Sequence, residues 1–449
     1  MDLPFHLLDR EVQKTEARFQ DARRDLLRKG PAEASSQNPL EDARRVSSKA
    51  TFQELSERAS DPVAAGLRPW VYALTLERVL WVDTVRLATA WHEASVELHE
   101  PEPARLSPRS LFERLLAETS AGRRRVLARS FANGAGRVAD AAHILADRRA
   151  EAARLLGVSS PDDLEIPCDP PGAVITVADR LLKATDPLVR DTTDRAASWD
   201  EVIATSLARE ASSGWPARMS ARWIEDLLRP SKLTEGLAIR LGPLPAPLGA
   251  TSFALTFARF GRAFAEAALP HSAPFSLGRP PFELRASRRS ALFGGLLADP
   301  TFGVRALGLS RDKAREQARS IARGLTISLR LAAAKVRLRG SLLLPIDRRR
   351  ERLEEETERA LGSPIPGPLA GVLPKLSPRD PSDLLGFVIA ARDRRDLIER
   401  FDEDWFRNPQ AASALREEQA VLPASPRVTE QAALEAVTEL ERALMAVLT

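Results

Sequence analysis

The chain has 449 residues, with 66 Lys and Arg against 62 Asp and Glu, a formal net charge of +4 and a sequence pI near 9.5. With 44% hydrophobic and 29% charged residues it can bury a large core, which excludes a disordered chain, and so small a charge excess does not by itself point to nucleic acid. One cysteine, Cys168, excludes an intramolecular disulfide and a cysteine-based metal cluster.

The opening MDLPFHLLDREVQ carries acids early and lacks a long apolar core, so no signal peptide is expected. No stretch reaches the roughly 18 apolar residues of a membrane span. Cytoplasmic residence and no membrane partner are the resulting expectations, and the arginine- and alanine-rich composition fits a GC-rich bacterial genome.

Residues 5–30 have helical apolar spacing (Leu7, Val12, Phe19, Leu26), and the polar, Pro- and Ser-bearing stretch 31–48 reads as a linker or mobile loop. Two helices are expected between Thr51 and Glu100, broken near Asp61-Pro62 and Pro69, and two more between Leu106 and Leu156, split at Asn133-Gly134. Within the first pair, His92 and His99 share a face, but two helical turns set them roughly 10 Å apart, too far for one small ion. His143 reads as an interior imidazole. The Pro-rich stretch 158–173, which holds Cys168, is the expected boundary between lobes. Without a histidine nearby in sequence, Cys168 reads as an inert buried thiol.

Helices follow at 174–187, 199–212 and 222–228. Gly236–Leu244, GLAIRLGPL, alternates apolar and polar residues and reads as the one strand of the chain. Phe253–Glu266 comes next, with Gly249-Ala250-Thr251-Ser252 before it offering hydroxyl N-caps. Phe253, Phe257, Phe260 and Phe264 fall at i, i+4, i+7 and i+11, one aromatic stripe along a helix, the pattern of a side turned to the core. Further helices are expected at 283–297, 310–343, 348–361 and within 382–420, with a Pro/Gly loop at 363–381. The domain reading is a helix and linker over 1–48, a helical lobe over 49–160, a second helical lobe over 161–422, and a final helix over 423–449.

Within the aromatic helix, Phe257-Ala258-Arg259-Phe260-Gly261-Arg262-Ala263 resembles the F-H-E-F-G-H-A helix of the M3-like zinc metallopeptidases (oligoendopeptidase F and thimet type). Asp404, Trp405, Arg407, Asn408 and Pro409 resemble a D-W-x-R-N-P stretch that closes the catalytic lobe in that family, and the likeness covers roughly residues 50–420. It implies a mainly α, two-lobed, zincin-like body of many helices with a cleft, and one small β element around 236–244 beside the metal helix. The frame of Phe, Phe, Gly and Ala is kept and the HExxH chemistry is not: Ala258 stands for the first His ligand, Arg259 for the general base, and Arg262 for the second His. Ser287 matches the third ligand, a glutamate, with Glu283 one turn earlier.

A zinc site of this kind needs two imidazoles one turn apart and a carboxylate to take a proton from the bound water. A methyl group cannot ligate, and guanidinium groups stay charged at any working pH. The family also uses Tyr or His to stabilise an oxyanion, whereas the only tyrosine here is Tyr72, in an apolar helix, and His271 is the only histidine after His143. The reading is therefore a catalytically inactive, peptidase-like protein with no cofactor, binding a peptide or protein through the former cleft, lined by Glu266, His271 and Glu283. Arg259 and Arg262 either line that pocket, pairing with Glu266 or Glu283 or holding an acidic group, or make structural ion pairs and point to solvent. Two alternatives remain: a hydrolase using a site not readable from sequence, or a nucleic-acid-binding protein using Arg123–Arg125, Arg285, Arg288, Arg289 and Arg348–Arg352.

Overall fold

The computed structural model describes residues 4–98, 104–190, 198–217, 219–242, 244, 247–421 and 427–449. Helices dominate, as expected. The longest are Pro62–Glu93, Arg311–Leu338, Phe5–Lys29 and Asp380–Phe401. Their ends follow local chemistry. The Asp61 carboxylate accepts from Val63 N at 2.7 Å and Ala64 N at 3.1 Å, and Asn408 Oδ1 accepts from Gln410 N at 2.9 Å. Gly308 and Gly362, both at positive φ, end the helices Pro300–Leu307 and Ile346–Leu361.

Three apolar clusters hold the body together. The second is built on the aromatic helix, Ala250–Ala267, whose Phe253, Phe257, Phe260 and Phe264 are all buried. Trp215 stacks on Phe253 with centroids 4.5 Å apart, and Phe293 meets Phe260 edge-on at 5.1 Å. Each such ring contributes on the order of 2–3 kcal/mol by burial, so the stripe works as core. A first cluster joins Phe131 and Val138 to Val177, Leu181, Ala333, Leu384 and Val437, and so has members on both sides of the Pro-rich stretch 158–173. The third gathers Leu8, Phe19, Trp70, Tyr72 and Trp81 under the amino-terminal helix.

Several expectations are corrected. Residues 236–242 and 244 form turn and coil, not a strand; among the described residues the ladders are Val96–Leu98 with Ala104–Leu106, antiparallel, and Cys168–Asp169 with Val428–Thr429, parallel. The alternation of Leu237, Ile239 and Leu241 packs against the aromatic cluster instead, so among the described residues the pattern reports one apolar side and no ladder.

Residues 31–48 are no loose linker: Trp81 Nε1 donates to Ser36 O and Asn38 Nδ2 to Arg78 O, each at 2.9 Å, and Leu40 and Val46 are fully buried. Pro69 breaks nothing; the helix Pro62–Glu93 runs through it because Leu67, Trp70 and Val71 beside it are buried, which offsets the cost of about 3 kcal/mol for an internal proline. Three helices, Pro108–Ala117, Ala121–Gly134 and Gly136–Leu155, fill 106–156 where two were expected.

The hydroxyl cap is also absent from the aromatic helix. Gly249 holds the cap position, and the first N–H groups are met by the backbone of another segment: Ala250 N donates to Ala208 O at 3.2 Å and Thr251 N to Leu207 O at 3.4 Å. A Cβ on Gly249 would overlap the Leu207 carbonyl, so only glycine permits that approach.

Candidate functional site

The aromatic helix lies against Leu284–Gly295, and that helix packs in turn on Asp380–Phe401. Small residues set the spacing. A Cβ on Gly261 would overlap the Arg289 carbonyl oxygen, and one on Gly294 would sit 3.2 Å from the Ala258 methyl group. Ala258 is thus a packing residue against Gly294.

The close packing brings three polar side chains together. Ser287 Oγ, buried, donates to Asp383 Oδ1 at 2.7 Å. Arg262 Nη2 reaches both, at 3.3 Å from Ser287 Oγ and 3.2 Å from Asp383 Oδ1. Asp383 stands in the first turn of the Asp380–Phe401 helix, where an acid is favourable for dipole reasons alone. That ordinary explanation is why sequence reasoning passes over it. The expected partners of Arg262 were Glu266 or Glu283; its carboxylate partner is Asp383.

Two cavities flank this network. One, of about 400 Å³, is lined by Arg262, Glu266, Glu283, Arg279 and Arg379, together with Trp70 and with Glu16, Gln20 and Arg24 of the amino-terminal helix. The other, of about 740 Å³, is lined by His271, Leu269, Pro270, Leu237 and Ala238 together with His6, Asp9 and Arg10. Gln13, Glu266, Phe275 and Arg279 line both, so the two form one trough between the amino-terminal helix and the end of the aromatic helix. Asp9 fixes that geometry: its carboxylate accepts from Phe275 N at 2.7 Å and Ser276 N at 2.8 Å, tying the first helix to the loop across the trough. Trp70 Nε1 donates to Arg279 O at 2.9 Å and holds the same loop from below.

Glu283 is the most perturbed carboxyl group here. Burial pushes it up to about 7, against the pull of Arg285 (3.5 Å away), Arg262 and Arg379. Burial also raises Glu16, although Gln20 Nε2 donates to it at 2.8 Å. Arg379 is shifted down, by burial first and then by the neighbouring charge of Arg262. Of the other sequence candidates, Glu266 and His271 are exposed on the trough wall and Arg259 is exposed on the far flank of its helix. Arg279 and Arg379 were not singled out from the sequence, because arginines in proline-rich loops carry no periodic signal.

The residues do not fit a zinc ion. A methyl group, a guanidinium and a hydroxyl stand at the three positions, and among the described residues no group of three His, Cys, Asp or Glu side chains is placed to hold a metal. Tyr72 is buried, and its hydroxyl donates to Glu165 Oε1 at 2.9 Å, so it is no oxyanion donor. His92 Nε2 lies 3.2 Å from Leu27 O and 3.2 Å from Arg109 Nη1, a tie to the end of the first helix, while His99 lies outside the described residues. His143 is interior, its Nδ1 3.3 Å from Arg349 Nη1. Cys168 is buried, and burial raises its thiol pKa. No helix among the described residues is long and apolar enough to cross a membrane.

The arginine clusters are engaged within the fold. Arg288 and Arg289 both bind Asp393 and Glu418, Arg124 faces Asp200 at 3.5 Å, and Arg349 binds Asp147. No protein-family model matches the chain, and no curated protein matches it. Among solved structures it is similar to PZ peptidase A with inhibitor 2, at 10% sequence identity and a TM-score of 0.46 over 97% of each chain.

Proposed function

We propose that this chain is a peptidase-like protein without metal chemistry, which binds a peptide or protein segment in the trough beside the altered site and does not cleave it. The observation that carries this reading is the Arg262–Ser287–Asp383 network. Two of the three positions that the motif resemblance assigns to zinc ligands hydrogen-bond to each other and to a carboxylate from a third helix. The guanidinium there pairs with Asp383, and it cannot activate water. The trough supports the binding half of the proposal: at about 400 and 740 Å³ its two parts accommodate several residues of extended chain.

The test has two arms. Purified protein is assayed for zinc and for chelator-sensitive cleavage of a quenched-peptide library; stoichiometric zinc or such turnover overturns the proposal. Cleavage that survives a chelator instead supports a hydrolase with a different site. Binding of labelled peptides, measured by anisotropy, is the positive arm, and its loss on substituting Glu266 and Arg279, both on the trough wall, is the expected result. A nucleic-acid role gains little from the arginine clusters, since carboxylates already occupy them.

A further inference from the structure

We propose that the smaller cavity is a carboxylate-binding pocket, built from the guanidinium groups of Arg262, Arg279 and Arg379. The inference rests on the reading of the trough as a peptide-binding surface and names the chemistry at one end of it.

Three observations support it. First, the cationic side chains are under-compensated. Arg279 Nη2 donates to Glu266 O at 3.2 Å and Arg379 Nε to Pro281 O at 3.1 Å, both neutral carbonyl groups. Among the described residues neither arginine has a carboxylate within ion-pair distance, and Arg262 commits only Nη2 to Asp383. Each guanidinium has five N–H donors in a planar fork, so each retains donors for a ligand.

Second, none of the carboxyl groups facing the cavity is within ion-pair distance of Arg262, Arg279 or Arg379. Those carboxyl groups are Glu16 from the amino-terminal helix, Glu266 from the aromatic helix and Glu283 at the start of the next, while Arg24 is paired with Asp21 at 2.9 Å. Glu266 is exposed, and burial raises the pKa of Glu16 and pushes that of Glu283 up to about 7. An ionised carboxylate entering the cavity would meet guanidinium donors and, from a protonated Glu283, a hydroxyl donor.

Third, the pocket is an end and not an isolated hole. It opens along Phe275 and Arg279 into the larger cavity, whose walls include Leu269, Pro270 and Leu237. The ligand shape that fits is an apolar chain ending in, or carrying, a carboxylate. A peptide C-terminus and an acidic side chain share that chemistry.

The experiment uses the full chain and anisotropy with an amino-terminally labelled, alanine-rich hexapeptide in three forms: free acid, C-terminal amide, and amide carrying one internal glutamate. Unlabelled succinate is titrated separately by calorimetry. The expected result is that a form with a carboxylate binds at least about tenfold tighter than the plain amide, the cost of one lost charged contact. Arg379→Gln and, independently, Arg279→Gln should reduce that ratio to about twofold or less, with unchanged melting temperatures reporting intact folds. Preference for the free acid identifies a chain terminus; preference for the glutamate form identifies a side chain. Equal binding of all three forms overturns the pocket and leaves the peptide-binding trough standing. Binding of succinate lost in Arg379→Gln, with no peptide bound in any form, upholds the pocket and overturns the trough reading. Absence of all binding removes both.

Discussion

A Cβ added to Gly386 would stand 2.6 Å from the carbonyl carbon of Ser287 and 2.8 Å from its Cβ. The two helices carrying these residues therefore touch backbone to backbone, and this contact places Asp383, one turn before Gly386, against the Ser287 hydroxyl. Gly386→Ala must separate them. The expected loss is at least about 2 kcal/mol in urea unfolding, and Gly261→Ala, which meets the Arg289 carbonyl, should behave alike. Gly295→Ala is the control: nothing lies within 4 Å of its added Cβ, so it should be neutral or stabilise by about 0.5–1 kcal/mol. Equal effects at all three positions would contradict the packing account.

The Arg262–Ser287–Asp383 network should behave as one unit. Arg262 and Asp383 side chains are 31% and 42% exposed, so water screens their ion pair and Asp383→Asn should cost only about 0.5–1 kcal/mol. Ser287→Ala removes a buried hydroxyl and should cost about 1 kcal/mol. The double variant should lose less than the sum, by at least about 0.5 kcal/mol, because the second change removes a partner already gone. Strict additivity in the mutant cycle would show that the three groups are merely adjacent.

Glu283 makes stability depend on pH. Its folded-state pKa, about 7, lies above the ordinary 4.5, so the folded protein keeps a proton that the unfolded chain has lost. Stability then falls as pH rises from about 4.5 to about 7, and the penalty is constant above that. The side chain is 9% exposed, so the shift converts to on the order of 3 kcal/mol at most. Glu283→Gln, uncharged at every pH, should match the parent near pH 5 and exceed it by about 2–3 kcal/mol at pH 8. Denaturant titrations at the two pH values decide it; a difference independent of pH would be evidence against a protonated Glu283.

Glu165 predicts the opposite slope. It is buried and accepts from Tyr72 Oη, Arg149 Nη2 and Arg339 Nη2, each at 2.9 Å. Burial opposes ionisation, but the two guanidinium groups outweigh it and hold the carboxyl below the usual range. Its stabilisation is present above the unfolded-state pKa and is lost as pH falls through the lower, folded value. Glu165→Gln removes the buried charge that Arg149 and Arg339 share, leaving Arg149 with Glu77 at 3.9 Å and Arg339 with Asp162 at 3.0 Å, and should cost about 1.5–3 kcal/mol at neutral pH, with a smaller gap in acid. Thermal melts at pH 7 and pH 3 read the difference.

Much of the helical content was legible because periodicity is local: the Phe253–Phe264 stripe and the helices expected at 310–343 and 348–361 are each written in consecutive residues, and helices stand there as Ala250–Ala267, Arg311–Leu338 and Ile346–Leu361. The residue types of Ala258, Arg259, Arg262 and Ser287, none of them a histidine or a carboxylate, were likewise visible in the sequence. Contacts between distant segments were not. Gly236–Leu244 has the alternation of a strand, but its described residues join no ladder, and the cap of the aromatic helix comes from the carbonyl groups of Leu207 and Ala208.

Side-chain identity alone thus determined which chemistry Ala258, Arg262 and Ser287 are able to perform. What the arginines face was decided by tertiary structure: Asp383 arrives 121 residues after Arg262 through a glycine-permitted helix contact, while Arg279 and Arg379 meet across a cavity roofed by the first helix. Sequence spacing cannot encode that outcome, because charge pairing depends on distances of a few ångströms that only packed helices set.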